Sequence, residues 1–167
     1  MDRTVCRRIQ TMEERRLKVK LDPGAYLPTR AHRTDAGLDL YSTEEKTIYP
    51  RWWTLDEKGI HVKETCGVTF DTGVHIAFDH GTYGKIESKS GLNVKHSIVS
   101  CGGVIDEGYT GSITVKLYNF GEAPYTVHEG DKIAQLVIME YKTPEIELAS
   151  YLDETERGDG GFGSTGR

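Results

Sequence analysis

Short segments of alternating polarity, separated by turn residues, constrain this 167-residue chain more than any other feature. Leu17-Lys-Val-Lys-Leu21, Val74-His-Ile-Ala-Phe78 and Ser112-Ile-Thr-Val-Lys-Leu-Tyr118 alternate with period two. That is the period of a strand with one face on a core. Lys132-Ile-Ala-Gln-Leu-Val-Ile-Met139 is mostly apolar and β-branched, which predicts a strand buried on both faces. Turn signals recur at Asp22-Pro-Gly24, Asp71-Thr-Gly73, Asp79-His-Gly81, Gly102-Gly103, Asp106-Glu-Gly108, Asn119-Phe-Gly121 and Glu129-Gly130,. This spacing predicts about eleven or twelve strands in an all-β, jelly-roll-like distorted barrel or sandwich. A single short helix is predicted around Ser90 to Lys95, weakened by Gly91 and Asn93,.

The chain is long enough for one domain with a real core. Residues 1–16 read as a basic leader, 17–152 as the β domain with an insert at about 45–66, and 153–167 as a glycine-rich arm. No apolar run approaches a membrane span and Met1-Asp2-Arg3 opens no signal peptide, so a cytoplasmic location is expected, without membrane contact. The formal net charge of -5 makes generic polynucleotide binding a poor fit,. Residues 1–20 do carry seven Arg or Lys against three acids. Without interleaved aromatics, a solvated leader is the better reading of them. Cys6, Cys66 and Cys101 are too few and too widely spaced for a disulfide framework or a zinc site,.

Five stretches are richer in glycine and polar residues than strands require. The last, Arg157-Gly-Asp-Gly-Gly-Phe-Gly-Ser-Thr-Gly-Arg167, holds five glycines and one bulky apolar residue, Phe162. It cannot bury a core, yet it has the parts of a clamp for phosphates and a flat ring. Asp35-Ala-Gly-Leu-Asp-Leu40 sets Asp39 between two leucines, and read alone it is a surface Asp at a strand start. Glu87-Ser-Lys-Ser-Gly-Leu92 offers an anion nest, or simply a helix capped by Ser88 or Ser90,. Gly102-Gly-Val-Ile-Asp-Glu-Gly-Tyr-Thr-Gly111 is a hairpin whose Asp106 is either a base beside the Tyr109 ring or a turn former,. In Gly130-Asp-Lys-Ile-Ala-Gln-Leu136, Gln135 is an amide in an apolar strand, serving either the core or a site,.

In this order the five stretches resemble the motifs of the trimeric dUTPase family. The matching segments are Ala36 to Leu40, Ser90 to Leu92, Gly103 to Gly111, Gly130 to Gln135 and Arg157 to Gly166, within a resemblance spanning about residues 17–166. The family implies a jelly roll assembled as a homotrimer with shared sites, and hydrolysis of dUTP to dUMP and pyrophosphate, lowering dUTP and supplying dUMP. By its match, Asp106 would activate the water that attacks the α-phosphorus, and Tyr109 would stack under the deoxyribose. The hairpin backbone, with Gly103 and Ile105, would read uracil. Lys89, Ser90 and Gly91 would hold phosphates, with Gln135 near the α-phosphate. Asp39 would anchor Mg²⁺ through water. In the arm, Phe162 would cover the base, and Arg157, Gly163, Ser164 and Thr165 would close on the nucleotide.

Three features depart from the family pattern. Lys89 stands where the second motif usually has Arg, which keeps the charge but loses the guanidinium fork,. The stretch from Glu45 to Cys66 is longer than the simple pattern and carries Trp52 and Trp53, read as a local apolar cap,. The leader has no counterpart. Two rivals remain: a dCTP deaminase of the same fold, against which Tyr109 and the complete tail motif argue, and a dUTPase-like regulator acting through a protein partner, against which Asp106 argues.

Overall fold

The alternating segments form strands in the structure, a computed structural model that describes residues 16–50 and 67–160. Among them lie β1 (Lys18–Leu21), β2 (Gly37–Tyr41), β3 (Lys46–Ile48), β4 (Gly67–Asp71), β5 (Val74–Ala77), β6 (Thr82–Ser88), α1 (Ser90–His96), β7 (Ile98–Ser100), β8 (Val104–Ile105), β9 (Thr114–Asn119), β10 (Tyr125–Val127) and β11 (Lys132–Glu140). Most of the insert, with Trp52 and Trp53, and the leader before Arg16 lie outside the described residues.

The strands make a four-stranded sheet in the order β2-β11-β6-β8, a three-stranded sheet β4-β9-β7, and the pairs β1-β5 and β10-β3. Every pairing between them is antiparallel. The sheets enclose one core in a jelly-roll-like arrangement that does not close into a barrel among the described residues. Leu40, Ile48, Phe70, Ile98, Val115, Leu117, Val127, Ile133 and Leu136 are buried at its centre. They come from strands of three different sheets, so the hydrophobic term ties the sheets together.

Alternation explains the best strands. In β9, Val115, Leu117 and Asn119 point inward while Thr114, Lys116 and Tyr118 stay outside or half-buried. This strand starts two residues later than the pattern predicts, because Ile113 donates its N–H to Val74 O (2.8 Å) and accepts from Thr72 instead. In β11, full burial reaches Ile133, Ala134 and Leu136. Beyond Leu136 the strand runs out from under the core and Met139 and Glu140 are exposed, so the expectation of burial on both faces fails for its second half. Asn119 is the polar exception at the core. Its Nδ2 donates to Ile48 O (2.8 Å) and Ala123 O (2.9 Å), and its Oδ1 accepts from Gly121 N (2.8 Å). A buried amide must be paired in this way.

Helix α1 is short and has no buried residues. Neither Ser88 nor Ser90 caps it. Lys89 is the N-cap residue, without a side-chain cap bond, because Ser88 Oγ is spent on Ser100 N (3.0 Å).

Candidate active site

The four-stranded sheet places the predicted residues. Register sets Gln135 of β11 opposite both Asp39 of β2 and Glu87 of β6. Gly37 leaves room for the Gln135 side chain, since a Cβ at that position would lie 3.1 Å from Gln135 Cβ. Asp39 is buried at 2% exposure, and both of its carboxylate oxygens are engaged. Oδ1 accepts from Lys89 Nζ (2.7 Å) and Gln135 Nε2 (3.3 Å), and Oδ2 pairs with Lys132 Nζ (2.8 Å). Burial pushes the Asp39 carboxyl up, but the hydrogen bonds from Lys132 and Lys89 outweigh it and hold the group below its ordinary range,. The same pairing raises Lys132.

This cluster bears on two expected residues and adds a third. Gln135 points to a site residue and not only into the core. Lys89 sits beside Ser90 and Gly91, which open α1. Lys132 was not anticipated: its place opposite Tyr41, with the ammonium over that ring at 5.9 Å, follows from register and a bulge that composition does not disclose. Two ammonium groups against one carboxylate leave the cluster with a net charge of +1, which suits an anion. The Asp39 carboxylate, expected to anchor Mg²⁺ through water, is paired here with both ammonium groups. Among the described residues, no group of three or more His, Cys, Asp or Glu could hold a metal.

The hairpin after β8 lies at the other edge of the sheet. Gly84 pairs with Ile105 and Lys85 with Val104. Gly103 has φ +111°, and its carbonyl accepts from Ile86 N–H (2.8 Å). A Cβ there would collide with the Ile86 side chain, so only glycine fits,. Asp106 is exposed, and its carbonyl accepts from Tyr109 N–H (3.0 Å). The Tyr109 ring folds over Gly111, with its O–H on Ser112 O (2.9 Å). The hydroxyl is thereby occupied, and 45% exposure leaves a ring face for a ligand. Two side chains pin this loop from below. Ser112 Oγ bonds Asp71 Oδ1, and His75 Nδ1 donates to Thr110 O (2.8 Å) while its Nε2 meets Asp22 Oδ2 (3.0 Å).

Asp39 lies on β2 at one edge of the four-stranded sheet, and Asp106 follows β8 at the other edge, offset along the strands as well. The structure thus unites Asp39, Lys89 and Gln135 but does not bring Asp106 and Tyr109 to them. In the arm, Arg157 Nε donates to Gly160 O (2.8 Å) within its own turn. Phe162, Gly163, Ser164 and Thr165 lie outside the described residues.

A family model described as dUTPase matches residues 24–166. The deoxyuridine 5'-triphosphate nucleotidohydrolase of Mus musculus is 44% identical over 149 residues, covering 89% of this chain and 83% of the mouse protein. The solved dUTPase of Staphylococcus bacteriophage 80alpha with dUpNHpp superposes with a TM-score of 0.78 at 29% identity, covering 91% of this chain and 99% of that one. A variant dUTPase from phage phi11 of S. aureus, solved for the coordination of a structural Mg(II) ion, gives a TM-score of 0.69 at 27% identity, covering 82% and 98%.

Proposed function

The chain belongs to the dUTPase family, and from that premise we propose how its residues divide the hydrolysis of dUTP to dUMP and pyrophosphate. The Asp106 carboxylate orients a water and takes its proton as the water oxygen attacks the α-phosphorus. The bond from that phosphorus to the bridging oxygen breaks, and pyrophosphate leaves with the electron pair. Such a substitution depends mostly on positioning and charge neutralisation. Lys89 and Lys132, held apart by Asp39, give the triphosphate a preset cationic surface, with Ser90 and Gly91 beside it. Tyr109 offers its ring face to the deoxyribose, where a 2′-hydroxyl has no room.

The observation that carries this reading is the Asp106–Tyr109 turn, which presents an exposed carboxylate and a locked ring side by side. The distance between this turn and the cationic cluster supports a homotrimer in which neighbouring chains complete each site. The exposed apolar residues Ile146, Leu148, Tyr151 and Leu152 of the C-terminal segment support it too, since a lone chain leaves them in water,. The magnesium that the resemblance implies would be held by substrate phosphate oxygens and water, with the Asp39 carboxylate reaching it through water.

The test is pyrophosphate release from dUTP, dTTP, dCTP and UTP, with Mg²⁺ present and absent. Release from dUTP well above the other three is expected. Ammonia from dCTP would favour the deaminase instead.

A further inference from the structure

Glu107 follows Asp106 on the hairpin rim, and its carboxylate ties that rim to two other elements. Oε2 accepts from Gly81 N–H (2.8 Å) and from Tyr141 O–H (2.6 Å), and Oε1 meets His80 Nδ1 (2.9 Å). His80 and Gly81 form the turn between β5 and β6, and Tyr141 is the first residue after β11. Those two partners are joined to each other, since Tyr141 N–H donates to Gly81 O (3.0 Å) and its ring meets Tyr83 edge-on at 6.2 Å. The result is a closed lattice of hydrogen bonds with Glu107 as its only member from the hairpin.

The need for such a tie follows from the strand. β8 is two residues long and its ladder to β6 ends at Ile105. Asp106 therefore has no strand of its own to hold it, only the Tyr109 turn and whatever its neighbours grip. His80 is 98% exposed and adds little. The two donors on Oε2 bear the restraint.

We propose that Glu107 is a positioning residue for Asp106: gripped by Gly81 N–H and Tyr141 O–H, it fixes the rim that aims the neighbouring carboxylate at the attacking water. This rests on Asp106 being the base. Hydrogen bonds from Tyr141, then His80, then Gly81 depress the Glu107 carboxyl to about 2, so both of its oxygens are acceptors at working pH.

The test uses the full chain, with pyrophosphate release from dUTP and calorimetric binding of dUpNHpp. Glu107→Ala should lower kcat by about tenfold or more, as loss of a positioned group does, with KM and dUpNHpp affinity within about threefold. Tyr141→Phe should lower kcat in the same direction but less. The double variant should be no slower than Glu107→Ala, because both changes cut one tether. Glu107→Gln, whose amide oxygen can still accept both donors, should retain most of the turnover and serves if the alanine variant does not fold. A kcat for Glu107→Ala within twofold of the parent overturns the proposal. So do losses that multiply in the double variant, or a parallel loss of dUpNHpp binding. Turnover surviving in Asp106→Asn would strike the base assignment instead, a separate result read from a separate variant.

Discussion

At the scale of single residues, charges decide the behaviour of this chain. Asp39 is nearly inaccessible, yet it is ionised because two lysines reach it. A buried carboxylate without them would be strongly disfavoured. His75 works in the opposite sense. Its Nδ1 must carry a proton to donate to Thr110 O, and its Nε2 must carry one to meet Asp22. The hydrogen bond to Asp22 and then that to Thr110 raise its proton affinity, against opposition from desolvation and, less, from Lys20 across the β1–β5 pair. Because the folded value lies above the unfolded one, this stabilisation is complete below the ordinary histidine value and is lost as pH rises through the folded value. His80 shifts in the same direction, so the difference between parent and variant isolates His75. Urea midpoints should fall from about pH 6.5 upward in the parent, and less so in His75→Gln. Identical pH profiles for the two proteins would remove His75 from the argument.

At the scale of elements, β9 and its turn depend on Asn119. Asn119→Ala removes three hydrogen bonds and strands the Ile48 carbonyl in the core. This should cost about 2–4 kcal/mol of unfolding free energy, read as a shifted denaturant midpoint with an unchanged slope. A change below about 0.5 kcal/mol, the range of ordinary surface substitutions, would show that water replaces the lost bonds. The elements also show what was legible in advance. Strands β1, β5 and most of β9 could be read from alternation alone, because one buried face imprints a period of two. The turns at Gly81 and Gly103 could be read from their glycines, and both have positive φ. Lys132 and Glu107 could not. Their significance lies in partners brought by register and by turns distant in sequence, and a single sequence does not print which side chains face each other across strands. Read alone, Asp39 looks like a surface Asp; its burial and its pairing with two ammonium groups come from the same register.

At the scale of the whole molecule, one chain holds Asp39 and the Asp106 hairpin at opposite edges of a four-stranded sheet. The same chain exposes a C-terminal segment bearing Ile146 and Leu148, each at least 98% exposed. Under the proposed reading, both facts favour sites completed by neighbouring copies. Light scattering should give three times the 18.7 kDa chain mass, and an active monomer would contradict shared sites. The most direct measurement is turnover of Asp106→Asn, whose amide keeps the shape of the side chain but cannot take a proton. Pyrophosphate release from dUTP should fall by about a thousandfold or more, within the range expected when a general base is removed, while dUpNHpp still binds. Near-normal release would contradict the assignment of Asp106 as the group that activates the water.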